Sequence, residues 1–264
     1  MKTGSWHYIL ISLVTCIASN AAIVGNGRFD AAPSVYRQSS ASVGYYLNAA
    51  SGDIFCGGKH PFEKTVDTKI DLNQWLITSN VQSPQYDATG GNVGGGMVMR
   101  PDGILKNRPR AILQFAQDDK TTKGIVNISI DFKFNHTDTG MVGNVELYGW
   151  NAGETGPILS IGGPTDNSAD FNVTVAGGAV NLLGGTGVKI PASDFSADTW
   201  KTVTIEGVDL GTGFDFFAWR LGFVGADGGD IASFDNIVDI PEPETFTLLF
   251  GLTGLALVFI RRRQ

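Results

Sequence analysis

The sequence predicts an all-β fold, an antiparallel β-sandwich that lies between two apolar chain ends. Three observations lead to this prediction. Apolar and polar residues alternate with period two in several segments, glycine is abundant at 35 of 264 residues, and helical periodicity is nearly absent between the two ends. Short alternating segments separated by Gly, Asn and Asp turns are typical of antiparallel sandwiches, whereas a parallel sheet would need helical crossovers.

The first residues predict a secretory signal peptide that covers residues 1–21. Lys2 supplies a positive charge, an uncharged and largely apolar run follows at 8–17, and small residues lead to a cleavage site after Ala21. The run is too short to span a bilayer, which needs about 20 residues. A lipoprotein box with lipidation at Cys16 is the alternative.

The other end of the chain predicts a short membrane helix. Residues 246–260 are apolar, Gly or Thr and carry no charge. As a helix they would reach about 22 Å, less than the ~30 Å hydrocarbon core. The cluster Arg261, Arg262 and Arg263 would hold the C-terminus at the cytoplasmic face, so the body of the protein is expected on the outer side of the membrane.

A sorting motif precedes this segment. Pro241, Glu242 and Pro243, the short apolar segment and the arginine cluster together resemble the PEP-CTERM sorting signal of Gram-negative bacteria over residues 240–264. The resemblance implies that a membrane protease-transpeptidase, the exosortase, recognises the signal and cleaves near Pro-Glu-Pro. It also implies a cell-surface or extracellular protein that is transiently anchored in the inner membrane. An ordinary tail anchor is the alternative.

Removal of both ends leaves one domain, residues 22–239. The full chain has a formal net charge of −7, and the domain is more acidic because both ends carry cations. Such a charge repels nucleic acid and anionic membranes, so neither is expected as a partner of the domain. Cys56 is the one cysteine that remains, which excludes an intramolecular disulfide.

The clearest predicted strand is 124–135. Its even positions from 126 to 134 are Val, Ile or Phe, and its odd positions are Asn, Ser, Asp or Lys, so one face is apolar and the other is expected to meet solvent or ligand. The Gly-rich stretch 80–107 is expected to form a long loop at the rim of the sandwich. Further strands are predicted at 74–78, 111–115, 143–151, 171–175, 200–205, 214–224 and 231–238.

Short motifs at the two ends of the domain carry a second resemblance. Residues 24–30 read Val-Gly-Asn-Gly-Arg-Phe-Asp, and residues 231–237 read Ile-Ala-Ser-Phe-Asp-Asn-Ile. With Trp75 and Trp200 between them, they resemble the galactose-binding-like jelly roll of carbohydrate-binding modules. This resemblance implies a jelly-roll sandwich and an extracellular polysaccharide as a partner.

The same resemblance implies a structural calcium ion. In many such modules one acid from the first strand and one from the last strand hold the ion, and the matching positions here are Asp30 and Asp235. Calcium takes six to eight oxygen ligands, so two carboxylates could anchor a site. Asp30 stands where the family more often has Glu. The alternative is that both acids cap turns or accept hydrogen bonds from backbone amides.

The candidate ligand-binding residues are Trp150, Tyr148 and Asn151. Sugar C–H faces stack on aromatic rings while hydroxyls bind Asn, Asp, Arg and Lys, and Trp150 beside Asn151 at a strand end is expected to be exposed. Tyr45, Tyr46 and Tyr86 are further candidates, whereas Trp75, Trp200 and Trp219 adjoin apolar or β-branched neighbours and are expected in the core.

Patterns that would indicate catalysis are scarce. His60 and His136 lack metal-pair spacing, and no Gly-x-Ser-x-Gly motif is present. Asp-Gly-Gly-Asp at 227–230 lacks the further ligands of an EF-hand and predicts a tight hairpin turn. We expect a non-enzymatic, exported matrix protein that binds carbohydrate. The alternatives are a structural biofilm protein without a small ligand and a glycoside hydrolase-like enzyme with two facing carboxylates.

Overall fold

The computed structural model describes the greater part of the predicted domain. Its described residues are 23–24, 27–29, 35–38, 44–48, 53–57, 72, 75–78, 85–92, 94–100, 110–138, 140–154, 156–160, 173–174, 178–225 and 229–241. The predicted signal peptide and the apolar segment 246–260 lie outside these residues and stay predictions. Within them, no helix has the length and apolar character that crossing a membrane requires.

The regular secondary structure of the described chain is almost entirely β-strand. The strands are β1 Val35–Gln38, β2 Gly44–Asn48, β3 Asp53–Gly57, β4 Trp75–Thr78, β5 Gln85–Asp87, β6 Gly96–Met99, β7 Arg110–Gln117, β8 Ile125–Phe134, β9 Val142–Trp150, β10 Ile158–Ser160, β11 Val173–Thr174, β12 Val180–Asn181, β13 Val188–Pro191, β14 Lys201–Asp209, β15 Phe216–Val224 and β16 Ala232–Pro241. One short 3-10 helix, Ala192–Asp194, follows β13.

The strands form three sheets. A seven-stranded sheet has the order β1-β4-β7-β15-β9-β12, with β13 also paired to β9. A five-stranded sheet has the order β14-β8-β16-β6-β5, and a four-stranded sheet has the order β11-β10-β2-β3. Strands β1 and β4 pair in parallel. The other pairings described are antiparallel, so the all-β, sandwich-like architecture predicted from the alternation is confirmed.

The main core lies between the seven-stranded and the five-stranded sheets. It takes alternate residues from each strand because successive side chains point to opposite faces. Trp75 and Trp219 are fully buried, as predicted, whereas Trp200 is only half-buried. The five-stranded sheet contributes Val126, Ile128, Ile130, Phe132, Phe134 and Phe234, and the seven-stranded sheet contributes Ile112, Val145, Leu147, Phe217, Leu221 and Phe223.

The prediction of an uninterrupted loop at 80–107 is wrong, because β5 and β6 both lie within this stretch. Glycines in and around the β5–β6 hairpin weaken the sequence pattern that would predict it. A Cβ on Gly91 would collide with the carbonyl oxygen of Gly95, and a Cβ on Gly95 would collide with the ring of Tyr86. The backbone segments of this hairpin approach each other so closely that glycine is required. Because glycine does not contribute to an alternating apolar and polar pattern, the sequence does not predict these two strands.

The start of the domain is tied to the core and to the last strand. The indole Nε1 of Trp219 donates a hydrogen bond to the carbonyl oxygen of Ile23 at 2.7 Å. The backbone N–H of Ile237 donates to the carbonyl oxygen of Gly27 at 2.9 Å. This second bond forms where β16 has a bulge next to Asn236, whose φ is 48°. The first and last segments of the domain thus stabilise each other.

The polar face of β8 is buried at its centre, although its alternation is as predicted. Ser129 and Asp131 are both buried, and Asn92 from the loop between β5 and β6 lies over Asp131. The carboxylate of Asp131 accepts hydrogen bonds from Asn92 Nδ2 at 2.9 Å, Asn236 Nδ2 at 2.8 Å and Thr202 Oγ1 at 2.6 Å. Three segments distant in sequence therefore meet at one carboxylate.

These hydrogen bonds set the protonation of Asp131. Burial by itself would raise the pKa of this carboxyl group, but the three donors stabilise the charged form. The net result is a pKa below the ordinary value of 3.8. A carboxyl group with a depressed folded-state pKa stabilises the fold above its unfolded pKa and loses that contribution as the pH falls through the folded-state value.

We predict that Asp131→Asn lowers the free energy of unfolding by about 1–3 kcal/mol at pH 7, because an amide nitrogen would face groups that donate. The difference from wild type should be complete above about pH 5 and should shrink as the pH falls below 3.8. Urea denaturation between pH 7 and pH 2.5 measures both quantities. Asp194→Asn, at an exposed position, is the control. An equal loss at both ends of this pH range would contradict the account.

Candidate functional site

Four polar residues lie together on the face of the seven-stranded sheet that points away from the main core. Asn144, Glu146 and Tyr148 alternate along β9 with core residues, and Arg220 lies opposite Glu146 on β15. We call this group the β9–β15 cluster. All four members are buried, with exposed fractions of 2% or less.

Glu146 is the acceptor at the centre of the cluster. Arg220 Nη2 donates to both of its carboxylate oxygens. The hydroxyl of Tyr148 donates to Oε2 at 2.6 Å, and Nδ2 of Asn144 donates to Oε1 at 2.8 Å. One carboxylate thus holds a cation, a phenol and an amide in fixed positions on two adjacent strands.

Burial shapes the titration of this cluster. Burial raises the pKa of the Tyr148 hydroxyl, and the charge of Glu146 raises it further, so the phenol remains a neutral donor. Burial also lowers the pKa of the Arg220 guanidinium, while Glu146 opposes that shift. Arginine nevertheless keeps its charge in proteins, so the cluster contains an ion pair. A buried ion pair gains little net stability because desolvation offsets the attraction between the charges.

The prediction that Trp150 is exposed is wrong, because its exposed fraction is 0%. Its ring stacks on Phe216 at 5.8 Å and meets Phe115 edge-on at 6.3 Å between centroids. The chain after β9 also returns across the ring, since a Cβ on Gly156 would lie 2.7 Å from Trp150 Cε2. The position of Trp150 at a strand end predicted an exposed ring. The path of the chain at Gly156, which the sequence does not reveal, is what buries it.

Two polar atoms beside the cluster make no hydrogen bond within the part of the chain that the structure describes. They are the indole Nε1 of Trp150 and the side-chain Oδ1 of Asn151, both of which are buried. The backbone N–H of Asn151 donates to Glu154 Oε2 at 2.6 Å, which holds the turn after β9. A buried polar group without a partner costs free energy of folding.

The residues of the predicted calcium site are only partly described. Asp30 lies outside the described residues. Asp235 is fully buried, and its oxygens accept hydrogen bonds from the backbone N–H groups of Asn92 at 2.7 Å and Asn236 at 2.8 Å. These contacts agree with the alternative in which this acid binds backbone amides. Calcium at Asp30 and Asp235 stays a prediction.

The opposed acids of the five-stranded sheet bear on the hydrolase alternative. Asp131 and Asp235 lie directly opposite each other on β8 and β16. However, Asn92 binds both carboxylates, through its side chain and its backbone N–H respectively. This pair therefore lies beneath a loop and does not line an open cleft.

Of the remaining aromatic candidates, Tyr86 is the one whose side chain the structure describes. Its hydroxyl donates to the carbonyl oxygen of Phe29 at 3.5 Å, whereas the side chains of Tyr45 and Tyr46 lie outside the described part of the chain. Sequence reasoning missed Glu146 and Arg220, although a signal existed. Arg220 is the one charged residue within the otherwise apolar β15, and such a residue in a buried strand needs a buried partner.

Comparison with known proteins supports the sorting motif. Residues 239–263 match the family described as the PEP-CTERM protein-sorting motif, which contains Pro241, Glu242, Pro243 and the arginines 261–263 predicted above. Of these, Pro241 ends β16 and the others lie outside the described residues. A motif of this kind implies an exported protein that an exosortase processes. No curated protein sequence matches the chain.

Solved structures that match part of the chain include carbohydrate-binding modules. One is the family 11 module from Clostridium thermocellum in complex with a β-1,3-1,4-mixed-linked tetrasaccharide, with 14% identity, a TM-score of 0.35 and coverage of 76% of this chain and 98% of that chain. Another is the C-terminal family 22 module of Clostridium thermocellum Xyn10B, with 7% identity, a TM-score of 0.36 and coverage of 65% and 88% respectively.

We predict that Glu146→Gln destabilises the fold by about 3–5 kcal/mol, because Arg220 would become an uncompensated buried charge. Urea denaturation of the full chain followed by tryptophan fluorescence measures this change. The matched control is Glu206→Gln at an exposed position of β14, which should change the free energy of unfolding by less than about 0.5 kcal/mol. Equal effects of the two substitutions would show that the ion pair does not hold this face of the sheet.

Proposed function

We propose that the exported protein binds an extracellular polysaccharide at the β9–β15 cluster and that it is not an enzyme. The observation that carries this proposal is the pair of buried polar atoms, Trp150 Nε1 and Asn151 Oδ1, that have no hydrogen-bond partner in the described chain. One atom donates and the other accepts, which is the pairing that a sugar hydroxyl group satisfies.

The neighbouring side chains suit the same class of ligand. Arg220, Glu146 and Tyr148 are held by one another in fixed orientations, so they can present hydroxyl-binding groups at small entropic cost. The rings of Trp150 and Phe216 supply the apolar surface on which sugar C–H groups stack. Rigid aromatic surface beside a few placed polar groups is the usual composition of a small-ligand site.

Access to the cluster requires movement of the segment after β9. Gly156 lies against the ring of Trp150, and Leu159 of β10, the strand that follows, is buried. Gly153, with φ of 89°, lies in the turn that leads into this segment. Glycine turns allow large changes of backbone angle, so we propose that the backbone at Gly156 swings aside to admit the ligand.

We predict that Trp150→Phe weakens polysaccharide binding by about 2- to 10-fold, because it keeps a ring but removes one hydrogen-bond donor. Asn151→Ala should have a similar effect through loss of the acceptor. Affinity electrophoresis of the full chain in gels that contain mixed-linkage glucan, xylan or galactan tests this outcome. Trp200→Phe, directly before β14 of the other large sheet, is the control.

Retention that is unchanged in both Trp150→Phe and Asn151→Ala would overturn the proposed site. Absence of retention of the wild-type chain on every polysaccharide tested would favour the structural matrix protein without a small ligand. Release of reducing sugar during the same experiment would instead favour the hydrolase.

The fold also bears on maturation. Strand β16 extends to Pro241, which pairs with Val126 of β8, so the first proline of the sorting motif belongs to the sheet. A protease needs an extended substrate that is not paired in a sheet. We therefore propose that the exosortase cuts on the C-terminal side of Pro241.

We predict that the mature protein isolated from its own cells retains Pro241 and lacks Arg261, Arg262 and Arg263. Mass spectrometry of the mature C-terminal peptide measures this directly. A mature chain that ends before Pro241 would show that the last strand opens before cleavage, and an intact arginine cluster would contradict processing altogether.

A further inference from the structure

Two loops at one end of the sandwich bring three metal-binding side chains together. His136 and Asp138 follow β8, and Asp230 precedes β16. One ligand atom from each residue lies within 4.8 Å of the other two. We propose that these three residues bind a divalent transition-metal ion of the zinc class, at a site separate from both the β9–β15 cluster and the predicted calcium position.

The distance between two of the ligand atoms fits this assignment. Nδ1 of His136 lies 3.4 Å from Oδ1 of Asp230, which is longer than a good N–H···O hydrogen bond of about 2.7–3.2 Å. Two ligands bound to one tetrahedral zinc ion at about 2.0–2.1 Å are about 3.3 Å apart. The imidazole and the carboxylate therefore already have the separation that a shared ion requires.

The two loops are fixed to each other next to these residues. Asn135 Nδ2 donates to the carbonyl oxygen of Gly229 at 2.8 Å, and its Oδ1 accepts from the backbone N–H of Ile231 at 2.6 Å. Its backbone N–H also donates to the carbonyl oxygen of Ile231 at 3.1 Å. Asn135 thus clamps both residues that flank Asp230 and sits directly before His136. Such second contacts hold metal ligands in place before the ion binds.

The donor set selects the class of ion. An imidazole with two carboxylates suits zinc and its first-row neighbours, whereas calcium and magnesium prefer oxygen ligands alone. Asp230 is fully buried, while His136 and Asp138 are exposed. Asp230 would therefore bind the ion on the side of the protein interior. The fourth coordination position would stay open to water, as in other zinc sites with three protein ligands.

The binding test uses the full chain after treatment with a chelator. Isothermal titration with zinc chloride should show one saturable site per chain. His136→Ala and Asp138→Asn should each weaken that site by at least about 10-fold, since even loss of a supporting contact costs 10- to 100-fold. Both substituted side chains are exposed, so the variants should fold. Asp198→Asn, an exposed turn residue outside the cluster, is the matched control and should bind zinc as wild type does.

Two further measurements distinguish zinc bound at this site from metal ions bound elsewhere on the protein. Cobalt(II) in place of zinc should give visible absorption bands of a four-coordinate ion in the wild type and not in His136→Ala. Calcium chloride at the same concentrations should neither bind at this site nor displace zinc. Zinc binding that is equally tight in wild type and His136→Ala, no saturable zinc binding at all, or displacement by calcium would each overturn the proposal.

Discussion

The seven-stranded sheet depends on one strand, β15, whose nine residues are all buried. It lies between β7 and β9, and it is paired with β9 along its full length and with β7 from Phe216 to Phe223. A strand buried on both faces can hold a charge only if a partner compensates it. Glu146 on the adjacent strand supplies that partner for Arg220, and the neighbours of Glu146 are positioned in turn. The second face of the sheet is thus organised by one ion pair.

The polar residues on the outer faces of the two large sheets differ in how fully they are hydrogen-bonded. On the five-stranded sheet, Asp131 receives three hydrogen bonds from Asn92, Thr202 and Asn236, so the network serves to join separate segments. On the seven-stranded sheet, Trp150 Nε1 and Asn151 Oδ1 have no hydrogen-bond partner in the described chain. Satisfied networks stabilise and specify a fold, whereas unmatched atoms reduce stability and are more readily explained by binding.

The last strand, β16, overlaps the beginning of the sorting motif. Its bulge at Asn236 receives the first segment of the domain through Gly27, and its far end is the beginning of the sorting motif. A cut beyond Pro241 would leave every pairing of β16 intact. The domain can therefore be separated from the rest of the sorting motif without loss of core contacts. The two loops that carry His136 and Asp230 lie at the other end of this strand.

The sequence by itself determined the sorting motif, the all-β class, the main alternating strands and the burial of Trp75 and Trp219. These features depend on local order or on period-two patterning, which survive without knowledge of contacts. Tertiary structure alone decided that Trp150 is covered, that β5 and β6 form within a glycine-rich stretch, and that Glu146 meets Arg220 across 74 residues. Strand pairing between distant segments decides which side chains meet, and a single sequence carries no direct record of that pairing.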